Sequence, residues 1–194
     1  MADFGFIAEE AITGDEIVRF RFNLLRINGG GMPYLSVRAA TPENSAFHKA
    51  GLRLDTKEIR RAGATRGQRK PKRLNDEKAI DKALDVMDEA RERDIDLFPE
   101  FVVGGWGLEY RGAEEIEAPF PGSKKAKRGV AIDGPMMDAN GPLEFNPENV
   151  RDFLKAIWKR KMEDFDELRY FCREQANFRD VVETGDLAEN SPSG

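Results

Sequence analysis

The segment that decides the fold is residues 17–40, IVRFRFNLLRINGGGMPYLSVRAA. Apolar and polar residues alternate over 18–24 (VRFRFNL) and over 35–39 (LSVRA), which is the period of a strand with one buried face. Between these runs, NGGG at 28–31 has the composition of a tight turn that tolerates positive φ. The pattern therefore predicts a β-hairpin from Glu16 to Ala40.

Two helices are predicted after the hairpin. Residues 41–43 (TPE) resemble a helix start, so we expect a short helix over 42–50 that Gly51 ends. A second helix is expected from residue 75 or 76 to about residue 94, where its run ends before Phe98-Pro99. One face of this helix is apolar at helical spacing and is expected to face the core: Ile80, Ala83, Leu84, Met87 and Ala90.

The remainder of the chain contains short strands and then two helices. Residues 101–108 (FVVGGWGL) predict a strand, and 130–132 (VAI) a brief one. Asn146, Pro147 and Glu148 form a cap, an N1 proline and a first-turn acid, which predicts a helix with the buried stripe Val150, Phe153, Leu154, Ile157 and Trp158. A last helix is expected from about Glu163 to Phe178, with Phe165, Leu168, Cys172 and Phe171 facing inward.

These patterns predict a fold of the α+β class, with an N-terminal β-hairpin, a small sheet and a helical C-terminal part. We expect one domain over residues 1–182, with a flexible basic loop near 60–73, where Gly63, Gly67 and Pro71 interrupt helix. A loop near 111–134, first acidic and then basic, looks inserted, and 183–194 is expected to be a disordered tail.

Composition excludes several classes of protein. The chain has 194 residues and a net charge of −5, which argues against a protein that is basic throughout and coats nucleic acid. One Cys and one His exclude an intramolecular disulfide and multi-cysteine or multi-histidine metal sites. No apolar run is long enough for a membrane helix, and residues 1–4 do not resemble a signal peptide. We expect no cofactor, no metal and no membrane partner.

The sequence gives little support for any catalytic residue. His48 has no partner at a known catalytic spacing, so a structural role is favoured. Cys172 lies beside the apolar stripe of its helix, which is typical of a buried structural thiol. The glycine runs at 29–31 and 104–107 match no phosphate-binding motif, and the abundant acids are attributed to solvated surfaces. The sequence therefore favours a protein that is not an enzyme.

Two surfaces remain as candidates for partner binding. Residues 53–73 contain nine Lys or Arg against two Asp or Glu, so they could contact nucleic acid or an acidic partner, although no aromatic residue is available for base stacking. The basic candidates are Arg60, Arg61, Arg66, Arg69, Lys70, Lys72 and Arg73. The apolar stripes of the C-terminal helices are expected to be mostly core, but they carry more aromatics than one core face needs, so a partner surface is the alternative. The candidates for that surface are Trp158, Phe165, Tyr170, Phe171 and Phe178.

The C-terminal ninety residues resemble the tail assembly chaperones of long-tailed bacteriophages. Members of that family have a strand that ends in a Trp-centred motif, and Trp106-Gly107-Leu108 stands in that place here. An Asp-Gly turn that leads to a helix follows in the family, and residues 138–149 (DANGPLEFNPEN) match it. In this chain, 109–135 separate the two motifs, which lie closer together in the family. Residues expected to matter for the fold are Trp106, Phe145, Asn146 and Phe153.

The resemblance implies a non-enzymatic role in the host cytoplasm. Such chaperones bind the tape measure protein, keep it soluble and assist assembly of tail tube protein around it. Two alternatives stay open: a structural virion protein of the tail or connector, and a nucleic-acid-associated protein that uses the basic 60–73 loop. Homo-oligomerisation is also left open by the sequence.

Overall fold

The computed structural model describes residues 14–27, 30–65, 76–112, 116–117, 122, 125–126, 130–138 and 140–179. It confirms the α+β class, since helices pack with an antiparallel sheet of four strands in the order β1-β2-β3-β6. The strands of this sheet are β1 (Val18–Arg21), β2 (Met32–Val37), β3 (Val103–Tyr110) and β6 (Ile132–Gly134). Two small ladders pair β4 (Ile116–Glu117) with β5 (Lys125–Ala126), and β7 (Met137–Asp138) with β8 (Gly141–Pro142).

The predicted hairpin is confirmed, but its first strand ends at Arg21, and Leu24, which the alternation places on the buried face, is exposed. β1 and β2 are antiparallel, with Phe20 opposite Leu35, and these two side chains are buried in the core. The alternate positions Arg19 and Ser36 pair on the other face of the same ladder. Alternation in the sequence therefore reports which face of the sheet meets the core, because successive side chains of a strand point to opposite faces.

Two long helices follow, and both extend beyond their predicted ends. Helix α1 (Ser45–Thr65) begins after Asn44, whose Oδ1 accepts a hydrogen bond from Phe47 N at 3.2 Å. The prediction that Gly51 ends this helix is wrong, since Gly51 lies inside α1. It is close to α2, where the guanidinium of Arg93 would be 2.7 Å from an added Cβ. The prediction that Gly63 interrupts helix is also wrong, since α1 includes Gly63.

Helix α2 (Asp76–Phe101) is seven residues longer than predicted and contains Pro99. Phe98 and Pro99 do not end it, because Ile95 and Phe98 are buried in the core and this packing stabilises the last turns. Strand β3 consequently begins at Val103 and not at Phe101.

The C-terminal part consists of α3 (Pro147–Arg160) and α4 (Met162–Arg173). Asn146 caps α3 as predicted, since its Oδ1 accepts a hydrogen bond from Asn149 N at 2.8 Å. Helix α4 ends at residue 173, five residues before the predicted end at Phe178. The buried residues of α3 and α4 join those of β1, β2, β3 and α2 in one core: Val150, Leu154, Ile157, Phe165, Leu168 and Cys172.

The region predicted as an insert, 111–134, contributes to the sheet. Its last residues form β6, which pairs with the end of β3 so that Leu108 lies opposite Gly134 and Tyr110 opposite Ile132. The predicted tail at 183–194 lies outside the described residues.

Candidate functional site

The aromatic surface predicted on the C-terminal helices is largely core. Phe165 and Phe178 are fully buried, so the prediction that they contact a partner is wrong for this structure. Trp158 and Phe171 are half-buried and pack against the same core, Phe171 within 5.9 Å of Phe178 between ring centroids. Tyr170, which is 78% exposed, is the member of the predicted group that faces solvent. The other four aromatic residues of the group thus pack in or against the core, which explains the excess of aromatics in the C-terminal helices.

The expected core face of α2 is instead solvent-exposed along its N-terminal half. Ile80, Leu84 and Met87 are 60%, 53% and 48% exposed. They are spaced by four and three residues, so they lie on one side of the helix. We call these three residues the apolar stripe. Val86, also exposed, lies outside this spacing.

The apolar stripe continues the buried face of the same helix. Continuing its spacing leads to Arg91, Asp94 and Phe98, all of which are buried. Helix α2 thus presents one face throughout, and within the part of the chain that the structure describes this face is buried only along its C-terminal half. The helical spacing of the sequence identifies this face of α2, but not the residue at which its burial begins. The sequence therefore could not distinguish the exposed N-terminal half from the buried C-terminal half.

The helix that carries the apolar stripe has an acidic surface beside it. Residues 80–90 contain four acids, Asp81, Asp85, Asp88 and Glu89, and one base, Lys82. All five side chains are exposed. The exposed charge of residues 80–90 is therefore net negative.

An ion-pair network fixes α2 to α4 below the apolar stripe. Arg91 donates to Asp166 at 2.6 Å and 3.0 Å and to Asp88 at 2.8 Å. Asp94, which is buried, accepts from Arg169 Nε at 2.5 Å and from Arg173 at 2.7 Å. On the opposite side, Arg93 on α2 pairs with Asp55 on α1 at 2.6 Å. The sequence did not indicate this network, because its members are far apart along the chain.

The network makes the stability of the fold sensitive to acid. The hydrogen bond from Arg91 holds the pKa of Asp166 below its ordinary value of 3.8 and raises the pKa of Arg91. A lowered carboxyl pKa means that stabilisation is complete above 3.8 and is lost as the pH falls through the folded-state pKa. We expect urea unfolding to show that Asp166→Asn is less stable than the unmodified chain near neutral pH. The difference in unfolding free energy between the two proteins should become smaller below about pH 4. A difference that does not change with pH would contradict the stabilising role of the Asp166 carboxylate.

The residues of the family-like motif meet around Trp106. Its ring lies 6.0 Å from those of Phe145 and Phe153 between centroids, edge to face in both cases. Asp138 Oδ1 accepts hydrogen bonds from the backbone N–H groups of Asn140 and Gly141, which forms the predicted turn. The prediction that Trp106, Phe145, Asn146 and Phe153 matter for the fold is consistent with these contacts.

Beside Trp106 lies a cavity of about 330 Å³, which we call the Trp106 cavity. Six of its lining residues are apolar: Ile27, Trp106, Met136, Met137, Leu143 and Phe153. The other three are Asp138, Asn149 and Asp152. Since both aspartates are exposed while the apolar residues are buried or half-buried, the carboxylates lie on the solvent side.

The remaining candidates are dispersed. Arg60 and Arg61 fall within α1, and the basic candidates at 66–73 lie outside the described residues. His48 is exposed on α1. Cys172 is buried, as predicted, and burial raises the pKa of its thiol. Across the described residues, no three His, Cys, Asp or Glu side chains are grouped as a metal site would require.

None of the helices in the described part of the chain combines the length and apolarity needed to cross a membrane. Comparison of the chain with protein families, curated proteins and solved structures found no match.

Proposed function

We propose that this protein is a non-enzymatic tail assembly chaperone that binds amphipathic helices of the tape measure protein on the apolar stripe of α2. The observation that carries the proposal is the exposure of Ile80, Leu84 and Met87 on one side of a helix. Apolar residues spaced by three and four are the surface that a second amphipathic helix packs against. The C-terminal resemblance supplies the identity of the partner.

The charges near the apolar stripe support a heterologous partner. Two copies of α2 side by side would bring acids such as Asp81 and Asp85 together, and like charges oppose such pairing. An amphipathic helix with Lys or Arg beside its apolar face would complement them. Binding should consequently weaken as salt is added, since exposed charges are screened.

The network below the apolar stripe supports a preformed site. Arg91 and Asp94 tie α2 to α4, so the helix is held before a partner arrives. A surface that is already ordered loses less conformational entropy when it binds. Shielding of apolar helices in this way would keep a long, aggregation-prone protein soluble during assembly.

The double variant Leu84→Ser/Met87→Ser tests this proposal. We expect it to lose about a hundredfold in affinity for the tape measure protein, since two side chains no longer contribute about 1.5 kcal/mol each on burial. Solubility of the co-expressed tape measure protein should fall with it. Both positions are exposed, so urea unfolding of the isolated variant should change by no more than about 0.5 kcal/mol.

Leu24→Ser/Val130→Ser is the matched control, because these two residues are exposed apolar side chains outside α2. It should keep the tape measure protein soluble, and Tyr170→Ala tests the exposed residue of the aromatic group in the same assay. Loss of solubility in the control or in Tyr170→Ala, with the α2 variant unaffected, would overturn the assignment to α2. A dimer on gel filtration that Leu84→Ser/Met87→Ser dissociates would show that the apolar stripe binds a second copy instead.

A further inference from the structure

The Trp106 cavity combines an apolar floor with negative charge on its open side. Its volume of about 330 Å³ lies at the small end of the range for ligand sites, which suits one side chain better than a whole helix. Trp106 and Phe153 supply aromatic surface, and Asp138 and Asp152 supply the charge. None of the nine residues that line it, all of them described, is cationic.

The two carboxylates differ in how they are held. Asp138 Oδ1 accepts backbone hydrogen bonds at 2.7 Å and 3.0 Å, so the turn fixes the position of this side chain. Asp152 follows Arg151 on α3, but Arg151 pairs with Asp96 and Glu100 on α2 instead. Within the described part of the chain, Asp152 has no ion pair, so its charge is available to a ligand.

We propose that the Trp106 cavity binds the side chain of an arginine supplied by a polypeptide partner. The methylene stem of arginine would cover the apolar floor, and the guanidinium would reach the carboxylates. Guanidinium also stacks on aromatic rings, is less strongly hydrated than ammonium, and donates in a fork that matches a carboxylate. An acidic side chain would be repelled by Asp138 and Asp152.

The Trp106 cavity is separate from the surface that the proposed function uses. The cavity is built from residues 27 and 106–153, and it shares no residue with the apolar stripe on α2. Arginine is among the residues that most often dominate the binding energy of protein interfaces, typically when it is inserted into a desolvated pocket. The cavity would therefore act as a second contact point for a basic partner, and it would do so whichever protein that partner is.

Hexylguanidinium is a suitable probe, with hexylurea as its neutral analogue and hexanoate as its acidic analogue. The readout is the indole N–H resonance of Trp106 in a nitrogen-15 spectrum, assigned by means of Trp158→Phe, which leaves Trp106 as the remaining tryptophan. We expect hexylguanidinium to shift this resonance with a Kd at least tenfold lower than that of hexylurea, and hexanoate to bind most weakly.

Asp152→Asn should reduce the preference for hexylguanidinium to about threefold or less. Glu167→Gln, which removes an exposed acid on α4 away from the cavity, should leave the preference unchanged. Equal binding of hexylguanidinium and hexylurea would overturn the inference. So would a preference that survives Asp152→Asn, or the lack of any shift of the Trp106 resonance up to about 10 mM probe, the affinity range of such small ligands.

Discussion

Asp94→Ala is expected to lower the free energy of unfolding by about 3 kcal/mol, one of the two largest effects foreseen for this protein. Asp94 is 2% exposed and accepts hydrogen bonds from both Arg169 and Arg173. Its removal leaves the partly buried guanidinium of Arg169 with Asp166, at 2.9 Å, as its remaining carboxylate partner. The loss of one carboxylate from a network in a region of low dielectric is costly. Because Arg173 remains in partial contact with water, we place the loss at the lower end of the range for such pairs.

Asp96 offers a control on the same helix. It is two residues away, but its side chain is 68% exposed and lies 3.6 Å from Arg151. Asp96→Ala should change the unfolding free energy by less than about 0.5 kcal/mol in the same urea titration. Asp94→Asn preserves the volume of the side chain, so a loss in this variant reports the charge. Equal effects at positions 94 and 96 would show that the network does not stabilise the junction between α2 and α4.

Gly107→Ala is expected to destabilise the fold by about 2–3 kcal/mol. A Cβ at this position would lie 2.5 Å from Tyr34 Oη and 2.8 Å from the backbone oxygen of Gly134. The Tyr34 ring is buried, and the guanidinium of Arg19 lies over it at 4.0 Å from the ring centroid, so the ring cannot easily move away. The main sheet must therefore open locally to admit one methyl group.

Gly105→Ala is the matched control, two residues earlier in β3. An added Cβ there meets Ser36 at 3.5 Å, which is an ordinary van der Waals contact. Because alanine restricts the unfolded chain more than glycine does, this variant should be neutral or stabilised by up to about 1 kcal/mol. Thermal and urea unfolding of both variants would measure the difference. A small effect at 107 would mean that Tyr34 yields more readily than its packing implies.

Several elements could be predicted because their signals are local. Asn146 and Pro147 marked the start of α3 through cap chemistry that involves only neighbouring residues. The lengths of the helices were harder to predict, since Gly51 and Pro99 ordinarily interrupt helices but lie inside α1 and α2 here. Gly51 lies against Arg93, and Pro99 follows the fully buried Phe98.

The candidate sites were predicted less well than the fold. Trp106, Phe145, Asn146 and Phe153 were named from the sequence as residues that matter for the fold, but the Trp106 cavity beside them was not predicted. The apolar stripe was assigned to the core, but it is exposed. Phe165 was considered both for the core and for a partner surface, and Phe178 for a partner surface, and both are buried. Helical spacing is identical for a face that meets the core and one that meets a partner, so the sequence has no signal that separates them.

Alternation over residues 18–22 and 35–39 by itself determined the hairpin and its buried face, because a period of two favours the pairing that hides the apolar side chains. It did not determine where the strand ends: β1 stops at Arg21, and Leu24 is exposed. Only the tertiary structure decided that the apolar face of α2 is exposed before Arg91 and buried from Arg91 onward. It also decided that Asp94 pairs with Arg169 and Arg173, which lie more than seventy residues away along the chain. Such contacts depend on how whole helices and strands are positioned relative to one another, and the local sequence does not encode these positions.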